Sequence, residues 1–151
     1  MTKLRMFFAA LAAIFAFGAA PAYAAKAPVY TGFLSNVAVG GYDVVSYFTD
    51  GEPTRGSNAH QITHDGFVYK FASAEHLAMF RANPDHYLPQ YGGYCAWAVA
   101  QGNTAAGNPQ YWRIVDDKLY LNYNASIQER WEANIPGFIR DANANWPDVL
   151  N

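Results

Sequence analysis

The chain has 151 residues, a length that suits one ordinary domain rather than two. Hydrophobic residues make up 52% of the sequence and aromatic residues 17%, a composition that excludes a disordered protein. The formal net charge is −2 and contains no basic surplus, so a binder of nucleic acid or of anionic membranes is not expected. The single cysteine, Cys95, excludes both an internal disulfide and a zinc cluster built from cysteines alone.

Residues 1–24 have the features of a cleaved signal peptide. Lys3 and Arg5 form a positive n-region, an apolar stretch follows, and Ala22 and Ala24 are the small residues that a signal peptidase recognises. The apolar stretch is shorter than the roughly 20 residues that cross a bilayer, although a retained anchor is the alternative. We therefore expect cleavage after Ala24, a periplasmic or secreted protein, and no membrane span in the mature chain.

After the leader, the sequence predicts an irregular segment and then a short strand. Residues 25–36 form a weakly patterned lead-in. The Gly40-Gly41 pair predicts a turn or bulge, and residues 44–48 are predicted to form the strand beside it. Residues 49–58 are rich in Gly, Pro and polar side chains, which indicates a surface loop.

Two β-hairpins are predicted. Asp65-Gly66 suits a tight two-residue turn because glycine tolerates positive φ, and Asp116-Asp117 occupies the corresponding place in the second hairpin. Phe67, Tyr69 and Phe71 alternate along one strand and are expected to face the core. The predicted hairpins comprise residues 60–64 with 67–71 and residues 112–115 with 118–123.

Helices are predicted after each hairpin. Ser73 is the expected N-cap of a helix over residues 74–82, and Ser126 with Glu129 forms a capping box for the next helix. Pro136 is expected to begin a separate last helix. No internal repeat is recognised. The sequence therefore predicts one small α+β domain with two β-hairpins and about three helices around an aromatic-rich core.

Three stretches resemble the YHS domain, a module of copper-transporting ATPases and of small stand-alone bacterial proteins. The resemblance extends over residues 37–146, leaves residues 147–151 as a tail, and is greatest for the stand-alone, exported members. That family is described as metal-binding and is related to the TRASH zinc-ribbon-like domains. The matching residues are Tyr69-Lys70-Phe71-Ala72-Ser73 with His76, Phe80, Asn83-Pro84 and Tyr87, together with residues 41–48 and 91–96.

Two departures change what the resemblance implies. Metal-binding relatives have cysteines where this chain has Ala72 and His76. The remaining thiol, Cys95, follows Gly-Gly-Tyr, and some members of this branch carry selenocysteine at the matching position. The resemblance thus implies a chemical role for Cys95, and it makes His76 a second candidate because it aligns with a ligand position.

The leading functional hypothesis is an exported, non-enzymatic module that binds a soft metal ion, copper or zinc, through Cys95 and His76. A thiolate suits Cu(I) or Zn(II), whereas a closed zinc site needs four ligands, so it would also require His86, Asp43, a tyrosine, water or a second chain. Two alternatives stay open. One is thiol-based redox or nucleophilic chemistry at Cys95. The other is a structural or interaction domain, with an unidentified periplasmic protein as partner and an inert, buried Cys95.

The remaining candidate residues have simpler interpretations. His60 and His64 lie about 13 Å apart if both are on one strand, too far for one ion. His86 is expected to be exposed, Asp116-Asp117 to form a turn, and the many tyrosines to build the core rather than a ligand groove. No Ser/His/Asp pattern, phosphate-binding loop or dinucleotide fingerprint is recognised, so neither a defined reaction nor an organic cofactor is predicted.

Overall fold

The computed structural model describes residues 24–151, and the predicted signal peptide lies outside the described residues except for Ala24. Within this range the chain forms a mixed α+β domain, as predicted, with six α-helices and two antiparallel two-stranded sheets. None of the helices within residues 24–151 is long and apolar enough to cross a membrane.

The secondary structure alternates between short helical segments and hairpins. Three 3₁₀ helices, Ala38–Gly41, Gln90–Gly93 and Asp148–Leu150, supplement the longer elements. In chain order the other elements are α1 (Ser46–Thr49), β1 (Ser57–His64), β2 (Phe67–Phe71), α2 (Ala74–Ala82), α3 (Pro84–Tyr87), α4 (Ala96–Ala100), β3 (Asn108–Val115), β4 (Lys118–Asn122), α5 (Ala125–Glu132) and α6 (Ile135–Asn145).

The described chain contains two units of the same design, so the expectation of no internal repeat was wrong. The first unit (residues 38–87) and the second unit (residues 90–145) each run through a 3₁₀ turn, a short helix, a hairpin and two further helices. The hairpin registers correspond pair by pair: Ser57–Phe71 corresponds to Asn108–Asn122, and both hairpins have a bulge directly after that pair. The two units therefore share a backbone plan despite their different side chains.

The turn that opens each unit shows the same correspondence. Gly40 and Gly41 have φ angles of 58° and 81°, and Gly92 and Gly93 have φ angles of 59° and 82°. Glycine reaches this left-handed region with little strain. The tyrosine after each pair forms an isolated antiparallel bridge, Tyr42 with Arg55 and Tyr94 with Ala106.

Residues 44–48 contain the start of a helix rather than the predicted strand, because the side chain of Asp43 holds the turn that leads into it. Asp43 Oδ1 accepts the N–H groups of Val45 (2.8 Å) and Ser46 (3.3 Å), which are backbone donors that a helix start leaves without partners. The helix α1 then extends over Ser46–Thr49. A short apolar run does not by itself distinguish a strand from a helical turn.

The predicted hairpins and the helix after Ser73 are confirmed. Ser73 caps α2 by accepting the N–H of His76 at 3.1 Å. The capping box at Ser126 is wrong: α5 begins at Ala125, and Asn124 Oδ1 accepts the N–H of Ile127 at 2.9 Å. Asn124 and Ser73 precede equivalent helices, so the cap position is common to both units.

Two aromatic-rich clusters form the core. The first contains Tyr47, Tyr69, Phe71 and Phe80 of the first unit, together with Leu119 and Leu121 of β4. Because β4 belongs to the second unit, the two units share this core. The second cluster combines residues of the second unit with Leu150 of the C-terminal 3₁₀ helix; its members are Tyr91, Tyr94, Ala96, Val99, Tyr120, Trp131, Ala142 and Leu150.

The lead-in is bound along the second unit. The N–H of Lys26 donates to the Leu150 carbonyl at 2.7 Å, and the N–H of Tyr30 donates to the Gly92 carbonyl at 3.0 Å. The Tyr94 hydroxyl donates to the carbonyl oxygen of Ala27 at 2.8 Å. Residues 26–30 therefore tie the C-terminal 3₁₀ helix to the turn at Gly92.

Candidate functional site

His76 lies in the first turns of α2, where its ring is paired with a buried carboxylate. Its Nδ1 lies 2.6 Å from Asp43 Oδ2, and the side chains of His76 and Asp43 are 13% and 0% exposed. His76 Nε2 lies 3.3 Å from the Thr49 hydroxyl. A histidine whose Nδ1–H donates to a carboxylate keeps a fixed ring orientation and leaves Nε2 as an acceptor.

The carboxylate of Asp43 is held by backbone amides as well as by His76. Besides the N–H groups of Val45 and Ser46, it accepts the N–H of Ala72 at 2.8 Å. Three amide donors on a fully buried carboxylate compensate for the loss of its hydration. The turn around Asp43 is therefore built to hold an anionic side chain.

Cys95 occupies the corresponding position in the second unit. It follows the second Gly-Gly-Tyr turn as Asp43 follows the first, and its N–H donates to the Ala105 carbonyl as that of Asp43 donates to the Thr54 carbonyl. His76 corresponds to Ile127, since each donates its backbone N–H to the side chain that caps its own helix, Ser73 for α2 and Asn124 for α5. The second unit therefore has a thiol in place of the carboxylate and an aliphatic side chain in place of the imidazole.

The environment of Cys95 combines burial with hydrogen-bond donors. Cys95 is 1% exposed, and burial raises the pKa of its thiol, while the backbone N–H groups of Ala98, Tyr123 and Trp97 act in the opposite direction. These three donors correspond to those on Asp43, although the N–H of Trp97 makes its short hydrogen bond to Asn122 Oδ1, at 3.2 Å. The thiol itself donates to Asn122 Oδ1, with 3.7 Å between sulfur and oxygen.

Asn122 is a site residue that the sequence analysis did not identify. It is fully buried, and its Oδ1 oxygen is already engaged by Trp97 and Cys95. Its Nδ2 nitrogen has no hydrogen-bond partner among residues 24–151. A buried amide donor without a partner is uncommon in a folded protein, so this amino group is available to an acceptor beside the sulfur.

The structure places the two predicted ligands in different surroundings. Cys95 bonds to Asn122, His76 bonds to Asp43, and no hydrogen bond links the sulfur to the imidazole. Within residues 24–151, no group of three or more His, Cys, Asp or Glu side chains could hold a metal ion. A metal site that combines Cys95 with His76 stays a prediction.

The other candidate residues have structural roles. His64 lies next to the Asp65 carboxylate (3.5 Å) and packs edge-on against Phe80. His86 Nδ1 lies 3.4 Å from Asp117 Oδ2 across the two units, and its ring packs against Phe48.

The two turn aspartates of the second hairpin fit a tight turn. Asp116 and Asp117 have φ angles of 48° and 60°, in the left-handed region that this type of hairpin turn requires. Their positions need no bound cation to explain them.

The structural equivalence of Asp43 and Cys95 has a signal in the sequence. Both residues directly follow Gly-Gly-Tyr, at residues 40–42 and 92–94. A comparison of these two stretches could have identified the relationship, whereas the pairing of Asn122 with Cys95 depends on the packing of β4. Comparisons with protein-family models, curated proteins and solved structures find no match to this chain.

Proposed function

We propose that Cys95 is the functional group of this protein and that its thiol reacts with small hydroperoxides. In the reaction, the thiolate sulfur attacks one peroxide oxygen, the S–O bond forms and the O–O bond breaks. The thiol proton ends on the leaving oxygen, so hydrogen peroxide yields water and Cys95 becomes a sulfenic acid. Sulfur is oxidised by two electrons and the peroxide is reduced by two. The reaction is stoichiometric and needs no organic cofactor.

The equivalence of Cys95 and Asp43 carries this proposal. In the first unit the turn holds a carboxylate with three backbone N–H groups. In the second unit the corresponding N–H groups lower the pKa of the Cys95 thiol against the larger effect of burial. The second turn thus supplies N–H groups that partly offset the effect of burial on the thiol, and the thiolate is the reactive form of cysteine.

Asn122 adds support for an oxygenated product. Its Nδ2 has no partner in the described part of the chain, and it belongs to the amide whose oxygen accepts the thiol. An oxygen added to the sulfur would be an acceptor for this nitrogen. Because Cys95 is 1% exposed, a molecule as small as hydrogen peroxide is a more suitable reactant than a bulky electrophile.

Sulfenic-acid trapping tests the proposal. Folded protein is treated with hydrogen peroxide in the presence of dimedone, and intact mass and peptide mapping locate the adduct. We expect an adduct at Cys95, faster formation as pH rises because more thiolate is present, and none in Cys95→Ser. Asn122→Asp keeps an acceptor for Trp97 and removes the Nδ2 donor, so it should lower the adduct yield.

A buried structural thiol would behave differently. It would react only after unfolding in urea, and its reactivity in the folded protein would not depend on residue 122. That result would overturn the proposal in favour of the interaction-domain alternative.

Soft-metal binding is the second candidate, and the Asp43–His76 pair is the observation that favours it. A carboxylate that accepts from Nδ1 commonly orients a histidine for metal binding through Nε2. Titration of reduced protein with Cu(I) against a competing chelator is the test. The proposal requires Cys95→Ser and His76→Gln each to weaken Cu(I) binding; affinities equal to that of the parent protein would exclude it.

Export and family membership are further proposals. Cleavage after Ala24 predicts a secreted product whose intact mass lacks residues 1–24, and an N-terminus at Met1 would contradict it. Membership of the YHS family is supported by the motif residues around Tyr69, His76 and Cys95.

A further inference from the structure

Two crevices on the surface meet beside the lead-in. The first, which we call the cationic crevice, has a volume of about 320 Å³ and includes Ser35, Arg55, Gly56 and Lys70 in its lining. The second, the apolar crevice, has a volume of about 370 Å³ and includes Tyr30, Gly107, Pro109 and Tyr123. Thr31 and Gly40 line both crevices, so the two are adjacent. Each has a volume within the range of small-molecule sites.

The cationic crevice is lined by two basic side chains, Arg55 and Lys70. No Asp or Glu of the described residues lines either crevice. The Arg55 guanidinium lies 4.6 Å from the centre of the Tyr42 ring, and it forms no ion pair within residues 24–151. Lys70 Nζ donates to Asn58 Oδ1 at 2.7 Å, which leaves its other two hydrogens for a ligand. Stacking on the ring orients Arg55 without neutralising its charge.

The apolar crevice offers aromatic and aliphatic surface. Tyr30 packs against Tyr94 at 5.6 Å between ring centres, which holds it in place at one side of the crevice. Tyr123 is 51% exposed, an unusual exposure for a large aromatic side chain. Phe33 and Leu34, on the segment between the lining residues Gly32 and Ser35, are 92% and 90% exposed.

We propose that the two adjacent crevices together bind an organic anion with an apolar body, of the class of medium-chain or aromatic carboxylates. The carboxylate binds Arg55 and Lys70, since a guanidinium and an ammonium provide charge-assisted hydrogen bonds. The apolar body extends past Gly40, which lines both crevices and carries no side chain, and contacts Tyr30 and Tyr123. This site is separate from Cys95 and does not depend on the chemistry proposed for it.

Three probes separate the contributions of charge and apolar surface: octanoate, which has both, 1-octanol, which lacks the anion, and acetate, which lacks the chain. Isothermal titration measures affinity, and amide chemical shifts locate the ligand. We expect octanoate to bind more tightly than either fragment and to shift the amides of Gly40 and Gly107. Arg55→Gln combined with Lys70→Gln should weaken octanoate binding by about tenfold or more, which corresponds to the loss of one or two ionic contacts.

Lys118→Gln is the matched control, because it removes an exposed cation outside the crevices. It should leave the affinity for octanoate unchanged, and the double variant should leave the affinity for 1-octanol unchanged. Equal affinities of the parent protein for octanoate and 1-octanol would overturn the proposal. So would equal losses in Lys118→Gln and the double variant, or octanoate-induced shifts confined to other surfaces. Arg55→Gln alone provides a second, milder variant that tests the same contact.

Discussion

At the residue scale, equivalent backbone positions in the two units carry side chains of different chemistry, a carboxylate and a thiol. Asp43 and Cys95 follow equivalent turns, but Asp43 has His76 as its partner and Cys95 has Asn122. The Asp43 carboxylate accepts three backbone N–H groups and pairs with His76, whereas the Asn122 amide beside the thiol has a donor that no described residue uses. The first position therefore has the character of a structural linkage between α1 and α2, and the second retains unused hydrogen-bonding capacity beside a nucleophile.

Removal of the Asp43 carboxylate should be strongly destabilising. Asp43→Ala leaves the N–H groups of Val45, Ser46 and Ala72 without their acceptor in a buried site, and we expect a loss of roughly 3–5 kcal/mol in the free energy of unfolding. His76→Ala removes only one of the four donors and should cost about 1–2 kcal/mol. Urea denaturation followed by tryptophan fluorescence measures both losses.

Glu75→Ala is the control for these variants, because Glu75 is an exposed acid in the same helix. It should change the stability by no more than about 0.5 kcal/mol. A similar loss in Asp43→Ala and Glu75→Ala would contradict the assigned role of the buried carboxylate.

At the element scale, local signals predicted the hairpins and α2, and they failed where a side chain from outside the element decides its form. Asp65-Gly66 and Asp116-Asp117 specify tight turns through positive φ, which is a property of the residues themselves. Residues 44–48 are apolar whether they form a strand or a helical turn, and the choice depends on hydrogen bonds to Asp43.

The candidate site was predictable to the same limited extent. Cys95 and His76 stand out by residue type and motif, whereas their partners lie 27 and 33 positions away in the sequence. The pairing of Cys95 with Asn122 follows from the placement of β4 against the second turn, which no local pattern specifies. The duplicated plan was missed because the two units conserve backbone geometry, with Gly-Gly-Tyr as the main shared sequence.

The contact between the lead-in and the second unit predicts a strict requirement for Gly92. It has a φ of 59°, and a Cβ atom there would overlap the carbonyl oxygen of Pro28. Gly92→Ala should therefore combine backbone strain with displacement of the lead-in, and we expect a loss of about 3 kcal/mol or more. Thermal unfolding together with amide hydrogen exchange at Tyr30, which donates to Gly92, would detect both effects.

Gly66→Ala separates the two contributions, because Gly66 has a φ of 87° and no atom of residues 24–151 lies within 4 Å of the added Cβ. It should cost only the strain of about 1–2 kcal/mol and leave the exchange at Tyr30 unchanged. Equal losses at the two positions would show that the lead-in contact contributes nothing to stability.

At the scale of the whole molecule, buried tyrosines connect stability to pH. Burial, as the main cause, raises the pKa of Tyr47 and Tyr91 above the usual value and raises that of Tyr69 to about 12. Tyr47 and Tyr69 belong to the first core cluster, and Tyr91 belongs to the second. In the unfolded chain a tyrosine has a pKa near 10, which is lower than the pKa of about 12 that Tyr69 has in the folded protein.

The sign of the effect follows from the order of ionisation. Below pH 10 both states keep the phenolic proton, and the stabilisation is fully present. Between pH 10 and 12 the unfolded state binds fewer protons than the folded state, so the free energy of unfolding falls as pH rises. Tyr69 alone should account for a loss of roughly 2–3 kcal/mol over this interval, with Tyr47 and Tyr91 adding to it.

Urea denaturation at a series of pH values from 8 to 12 measures this loss, and absorbance at 295 nm reports tyrosine ionisation in the same samples. Tyr69→Phe keeps the ring, which stacks on Phe80 at 5.2 Å, and removes the ionisable hydroxyl. Between pH 10 and 12 the free energy of unfolding of Tyr69→Phe should therefore fall by roughly 2–3 kcal/mol less than that of the parent protein. A variant that follows the parent curve across that interval would show that the alkaline loss arises elsewhere, because the only group removed is the one whose ionisation burial delays.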